Sequence, residues 1–186
     1  VNPEMTYAKV AIENEKGEVE RFIIAQELID KVLIDEKKNI IPHNLEALVD
    51  GGDLVGLEYE PLLGDFFANS FERKSYFSVF GVNKNQPLNN FRVWAADYVS
   101  ADSGTGIVHI APSYGEEDFA LAKKENIGIL HILDDDGIYF DDISERLYEL
   151  MPWKDNTEDL EVWSSNKDIA KGFKKAGYVW KIDYIQ

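Results

Sequence analysis

The sequence predicts a β-barrel-centred α+β fold, in which a closed or strongly bent mixed sheet is decorated with short helices. Short runs rich in β-branched and aromatic residues recur along the chain, and Gly, Pro, Asn and Asp turns separate them. Helical spacing of apolar residues is confined to a few short segments. The chain has 186 residues, of which 45% are hydrophobic, and this predicts a single domain over residues 1–186.

The first predicted elements are a hairpin and a helix. Apolar-rich runs at residues 7–12 and 19–25 flank Asn14-Glu15-Lys16-Gly17, a polar turn that ends in glycine. Apolar residues then recur within residues 26–33 at the spacing of a short amphipathic helix.

Further strands and two further helices are expected downstream. Asp50-Gly51-Gly52-Asp53 predicts a turn before a strand over residues 54–59, which Pro61 ends. The remaining predicted strands are aromatic or β-branched runs at residues 76–80, 91–100, 106–110 and 127–133. The helices are predicted over residues 116–124 and 168–176, the second with caps at Ser164-Ser165-Asn166 and closure by Gly177.

Composition excludes several classes of function. The chain has no cysteine, so it has no disulfide, thiolate nucleophile or cysteine-bound zinc. Its 35 acidic and 19 basic residues give a net charge of −16, which disfavours a broad face for duplex nucleic acid. The sequence has no apolar run long enough for a membrane span and no signal peptide, so we expect a cytoplasmic protein without a membrane partner.

The segment SGTGIVHIAPSYGEEDF, residues 103–119, concentrates the chemistry of the chain. Gly104 and Gly106 predict a tight turn that leads into the strand, where His109 lies on the same face as Ile107. Ser113 and Glu116 have the spacing of a capping box, which predicts a helix start.

The residues alone leave two interpretations of this segment open. Three acids, Glu116, Glu117 and Asp118, occupy the predicted first helical turn, where the helix dipole favours negative charge by about 0.3–1 kcal/mol each. In the other interpretation one carboxylate turns inward beside His109 and binds a cation. His109 is likewise either a structural histidine or a site residue. Composition does not distinguish between these two roles.

A resemblance favours the functional interpretation. The run GTGIVHIAPSYGEED is similar to the signature of the editing domain inserted into isoleucyl-tRNA synthetases. The sister domains of the valyl and leucyl enzymes share GTG and the final Asp but usually carry Lys or Met where His109 stands. Residues 52–62 and 96–100 also resemble family stretches, and the resemblance runs nearly end to end.

The resemblance implies the synthetase editing-domain fold and post-transfer proofreading. Valine misattached to tRNA(Ile) would be hydrolysed within an enzyme that attaches isoleucine to its tRNA with ATP. By resemblance Asp118 grips the α-ammonium group of the misattached amino acid, and His109 forms part of the pocket wall. Thr105, Gly106 and Tyr114 are expected to line the site.

The resemblance also implies partners and one departure from the family. The expected partners are the 3′ end of aminoacylated tRNA(Ile), misactivated valine and the rest of the synthetase chain, with the chain itself a monomer. Editing needs no metal or cofactor, and ATP serves only the synthetic site. The family's threonine-rich strand would precede Val1, so we expect an excised fragment that folds but deacylates poorly.

Three alternatives remain beside this interpretation. The first is a valyl-type or leucyl-type editing domain. The second is an aspartic protease, because Asp102-Ser103-Gly104-Thr105 resembles the Asp-Ser/Thr-Gly motif, although one copy would require a homodimer. The third is a non-catalytic acidic binding module that takes calcium at residues 133–137, where the EF-hand spacing fails and a turn at Asp136-Gly137 is the simpler interpretation.

Overall fold

The structure is a computed structural model that describes residues 1–14, 16–62, 90–102 and 104–182. The chain divides into two compact units, unit 1 within Val1–Glu60 and Gly81–Ile127 and unit 2 within Pro61–Phe80 and Gly128–Gln186. The expectation of one domain over residues 1–186 stays a prediction.

A three-stranded antiparallel sheet forms the centre of unit 1. Its strands are β1 (Thr6–Glu13), β2 (Val19–Ala25) and β3 (Asn44–Asp50), in the order β2-β1-β3. Tyr7 pairs with Ala25 on one side and with Val49 on the other. The α+β class is therefore confirmed. This sheet is not closed, and the predicted barrel is not confirmed.

The predicted hairpin and the helix after it are confirmed. The Asn14 side chain accepts hydrogen bonds from the backbone N–H groups of Lys16 and Glu18, both at 3.0 Å, and thereby closes the turn. A 3₁₀ turn (Gln26–Leu28) and the short helix α1 (Ile29–Val32) follow β2. Leu28 and Leu33 are completely buried, as the apolar spacing requires.

Strand β3 was missed because its local sequence favours a helix. It contains Leu45, Glu46, Ala47 and Leu48, all good helix formers. Leu45 and Leu48 are about half exposed, at 50% and 52%. The strand therefore also lacks the buried apolar face that would identify it. The antiparallel pairing with β1 decides the conformation.

Several predicted strands are wrong. The strand predicted over residues 54–59 is absent. The one-turn helix α2 (Gly51–Leu54) ends at the first of these residues, and Glu58 forms an isolated bridge with Arg92. The structure has no strand over residues 91–100, 106–110 or 127–133, where strands were predicted. A β-favouring run extends into a strand only where a partner strand pairs with it, and the described neighbours offer isolated bridges at most. The strand predicted over residues 76–80 lies outside the described residues.

Three longer helices complete the described elements: α3 (Glu116–Glu125), α4 (Asp141–Leu150) and α5 (Val162–Lys175). Helix α3 confirms the prediction over residues 116–124. Helix α4 was not predicted, although Ile143 and Leu147 have helical spacing and are buried.

Helix α5 begins earlier than the sequence suggested. The Glu161 carboxylate accepts hydrogen bonds from the N–H groups of Trp163 and Ser164, at 2.9 and 2.7 Å, and so caps the helix. The predicted caps at Ser164-Ser165-Asn166 therefore lie inside the helix, which is a correction. Gly177, with φ +83°, follows the last turn as predicted.

Unit 2 packs around its own apolar cluster, in which Ile143, Leu147, Met151 and Leu160 are buried. The loop at residues 134–137 is a turn, as the simpler interpretation predicted, because the Asp134 carboxylate accepts the N–H groups of Asp136 and Ile138. Across the described ranges, no helix combines the length and the apolar character that a membrane span requires.

Candidate active site

The glycine turn at residues 104–106 is fixed against the end of the β1–β2 hairpin. The Thr105 carbonyl accepts the N–H of Ala25 at 2.8 Å, and the Gly106 carbonyl accepts the Tyr7 hydroxyl at 2.8 Å. Tyr7 is fully buried, and its hydroxyl also accepts the N–H of Asn2 at 3.0 Å. The sheet core thus determines where the segment begins.

The two glycines of this turn are required for different reasons. Both have a positive φ, +67° at Gly104 and +73° at Gly106, which side chains rarely adopt. A Cβ atom on Gly104 would meet open space, whereas one on Gly106 would lie 2.4 Å from the Cβ of Ala25. Gly106 therefore also permits close packing against β2.

The stretch after the turn is exposed and is not a strand. Ile107 and Val108 are 40% and 49% exposed, and His109 is also exposed. The described neighbours provide no ladder of backbone hydrogen bonds for residues 107–110, which explains why the predicted strand is absent. Two consecutive apolar side chains in contact with solvent do not follow the predicted alternation of faces.

A closed turn separates this stretch from helix α3. The Ala111 carbonyl accepts the N–H groups of Tyr114 and Gly115, at 2.9 and 3.1 Å. The helix therefore starts at Glu116 with Gly115 as its N-cap, and no side chain caps it. The predicted capping box of Ser113 and Glu116 is wrong. Ser113 lies within the turn closed by the Ala111 carbonyl, and the N-cap is Gly115, two residues further on.

Asp118 lies in the first turn of α3, but its side chain folds back over the preceding turn. Its Oδ2 accepts the Ala111 N–H at 2.9 Å, and its Oδ1 accepts the Tyr98 hydroxyl at 3.3 Å. Asp118 is half-buried, whereas Glu116 and Glu117 are exposed. One of the three acids is thus turned inward.

No lysine or arginine of the described ranges forms an ion pair with Asp118. An ionised carboxylate has about four acceptor positions, and the two hydrogen bonds leave acceptor capacity for a ligand. Desolvation, followed by the negative charge of Asp118, raises the pKa of Tyr98 above its usual value of 10.0. Tyr98 therefore stays protonated at neutral pH and acts as the donor to Asp118.

The sequence-predicted site residues make their contacts with different parts of the structure. Asp118 contacts the turn before α3, and Thr105 and Gly106 contact the hairpin. His109 and Asp118 share no hydrogen bond. Tyr114 is 53% exposed, and Phe119, which follows Asp118 in the sequence, is 37% exposed.

Sequence reasoning missed the partners of Asp118. Tyr98 belongs to the stretch of residues 96–100 that resembles the family, but the resemblance did not assign it a role. Ala111 contributes a backbone N–H, and Gly115 contributes space because it has no side chain. Neither property is visible in a residue pattern.

The alternative sites receive no support. Asp102 is exposed and accepts the Ser100 hydroxyl at 2.7 Å, while Ser103 of the protease-like motif lies outside the described residues. Within the described part of the chain, no three His, Cys, Asp or Glu side chains are grouped to hold a metal ion. The loop predicted for calcium is the turn closed by Asp134.

Comparisons with known proteins agree with the resemblance. The family model described as "Leucyl-tRNA synthetase, editing domain" matches residues 71–170. The isoleucine–tRNA ligase of Methanococcus maripaludis is 36% identical over 146 residues, which are 77% of this chain and 13% of the relative. The enzyme of Bdellovibrio bacteriovorus is 31% identical over 188 residues, covering 100% of this chain and 14% of the relative.

A third relative extends the same agreement. The isoleucine–tRNA ligase of Aquifex pyrophilus is 33% identical over 181 residues, which are 96% of this chain and 29% of the relative. The chain therefore spans only a minor part of the length of these relatives. It belongs to the family of aminoacyl-tRNA synthetase editing domains, of the isoleucyl-tRNA synthetase type.

Proposed function

We propose that this chain hydrolyses the ester bond between misattached valine and tRNA(Ile). A pocket that holds isoleucine rejects valine by only about 1–3 kcal/mol, and the isoleucine–valine pair is the standard example of this limit. A second, smaller site removes the error by admitting valine and excluding isoleucine. Water attacks the ester carbonyl, the bond to the ribose oxygen breaks, and free valine and free tRNA leave.

The observation that carries this proposal is the carboxylate of the half-buried Asp118, which forms no ion pair with a described lysine or arginine. The ester of an aminoacyl-tRNA carries a free α-ammonium group, which is the cation such a carboxylate binds. A charge-assisted hydrogen bond of this kind contributes about 1.5–3 kcal/mol. Asp118 would act as an anchor that orients the ester and not as the nucleophile.

The other site residues have supporting roles in the proposal. His109, exposed nine residues before Asp118 in the sequence, would limit the space for the amino-acid side chain. Thr105, Gly106 and Tyr114 would line the site. No metal, cofactor or ATP takes part in this step, and ATP would be used only in the synthetic site of the full-length enzyme.

The proposal also accounts for the acidic composition. A net charge of −16 repels the body of a tRNA. Only the 3′ end has to reach the editing site, and the rest of a full-length synthetase would hold the body of the nucleic acid. The partners would thus be the 3′ end of aminoacylated tRNA(Ile) and the remainder of the synthetase, in the cytoplasm.

The test measures release of valine and isoleucine from tRNA(Ile). The chain is assayed by itself and within a chimeric ligase, a full-length isoleucine–tRNA ligase in which it replaces the corresponding segment. We expect the chimeric ligase to release valine and to retain isoleucine. Release of a non-cognate amino acid from tRNA(Leu) in place of tRNA(Ile) would support the leucyl-type alternative.

Two variants of the chimeric ligase test the anchor. Asp118→Asn keeps an oxygen that accepts the Ala111 N–H but removes the charge, so we expect kcat/KM for valine release to fall about 10- to 150-fold. Glu117→Gln removes the same charge from an exposed position of the same helical turn and should change little. Full activity of Asp118→Asn would contradict the proposal.

A further inference from the structure

We propose that Tyr98 and Gly115 are positioning residues that hold the Asp118 carboxylate in the orientation that binds the substrate ammonium group. The proposal rests on the proposed function, because it concerns how the anchor of that site is aimed. Neither residue would touch the ester; both would act through Asp118.

Two hydrogen bonds from different segments fix the carboxylate. Ala111, seven residues before Asp118, donates its N–H to Oδ2 at 2.9 Å, and Tyr98, twenty residues before it, donates its hydroxyl to Oδ1 at 3.3 Å. Because one donor engages each oxygen, rotation of the carboxylate breaks at least one hydrogen bond. The orientation is thus determined by contacts outside the helix that carries Asp118.

Gly115 is required by space and not by its backbone conformation. Its φ of −127° and ψ of 132° are extended values that any residue adopts. A Cβ atom there would lie 2.7 Å from Oδ2 of Asp118 and 3.2 Å from its Cγ. The missing side chain leaves the room that the carboxylate occupies.

Tyr98 is suited to act as a permanent donor. Its pKa is raised by desolvation and by the charge of Asp118, so the hydroxyl keeps its proton across the neutral range. Tyr98 is 37% exposed, so substitution by phenylalanine removes the hydroxyl without opening a cavity in a closed core. Tyr98→Phe is therefore a clean test of the hydrogen bond.

The experiment compares two substrates in the chimeric ligase. One is valyl-tRNA(Ile), and the other is N-acetyl-valyl-tRNA(Ile), which lacks the positive charge. We expect Tyr98→Phe to lower kcat/KM about 3- to 10-fold on the first substrate, chiefly through KM, and to change the second less than twofold. Equal losses on both substrates would show a merely structural role and would overturn the proposal.

Gly115→Ala should have a larger effect of the same kind. Its Cβ displaces the carboxylate, so we expect a loss on valyl-tRNA(Ile) close to that of Asp118→Asn. Gly52→Ala is the matched control, because the nearest atom its Cβ would meet is the Pro3 carbonyl oxygen at 3.9 Å. Unchanged kinetics of Gly115→Ala would contradict the steric argument.

Double variants separate this proposal from the proposed function. In an Asp118→Asn background, Tyr98→Phe should cost less than a further twofold, because the anchor it serves is already lost. If Asp118→Asn is harmful and the two losses multiply, positioning is wrong while the proposed function stands. If Asp118→Asn itself has no effect, both fall.

Discussion

Gly106→Ala tests whether the turn before the candidate site is held by close packing on the sheet. The added Cβ would lie 2.4 Å from the Cβ of Ala25 and 3.4 Å from the Cε of Met5. The residue would also have to adopt a φ of +73°. Its carbonyl accepts the buried Tyr7 hydroxyl, so the turn cannot move away without loss of that hydrogen bond.

The expected destabilisation has two parts. A left-handed conformation costs an L-residue about 1–2 kcal/mol. Overpacking against a buried strand costs about 1–3 kcal/mol more. Gly106→Ala should therefore lower the free energy of unfolding of unit 1 by about 2–5 kcal/mol.

The assay is hydrogen exchange of the β1 and β2 backbone amides at increasing urea concentration, which reports on unit 1 specifically. Gly104→Ala is the matched control, because its φ of +67° is similar but its Cβ meets open space. It should cost only the conformational part, about 1–2 kcal/mol.

A compensating variant examines the contact directly. Ala25→Gly removes the atom that the new Cβ would strike, so Gly106→Ala with Ala25→Gly should lose less stability than the sum of the single variants. If Gly106→Ala costs no more than Gly104→Ala, or if the two losses simply add, the reasoning about close packing is refuted.

Three further predictions concern both units. Tyr7→Phe removes the donor to the buried Gly106 carbonyl and the acceptor for Asn2, so hydrogen exchange in β1 should show a loss of about 1–3 kcal/mol; unchanged protection would be inconsistent with these bonds. Leu147→Ala opens a cavity in the core of unit 2, and urea unfolding should show a loss of about 2–5 kcal/mol, whereas a loss below about 1 kcal/mol would mean that the cluster is loosely packed. The Trp163 and Ser164 N–H groups lower the pKa of Glu161, so its contribution to stability is present above the unfolded value of 4.5 and is lost as pH falls through the lower folded pKa. Glu161→Gln should therefore lose less thermal stability than the parent between about pH 7 and about pH 3, and identical acid profiles would contradict the capping role.

The sequence by itself determined the elements whose causes are local. The hairpin follows from two apolar runs around Asn14 and Gly17. Helix α3 lies where the sequence predicted it, although the predicted capping box does not form. The glycine turn before the candidate site was also predicted from the residues alone. The family resemblance rested on contiguous motifs, which need no folding to be recognised.

Only the tertiary structure decided the features that depend on distant neighbours. Strand β3 has the composition of a helix and is a strand because β1 pairs with it. The orientation of Asp118 depends on a hydroxyl from residue 98 and a backbone N–H from residue 111. Local propensity does not include such contacts, because they form only when the chain folds and brings distant residues together. Composition therefore could not show which of the three consecutive acids turns inward.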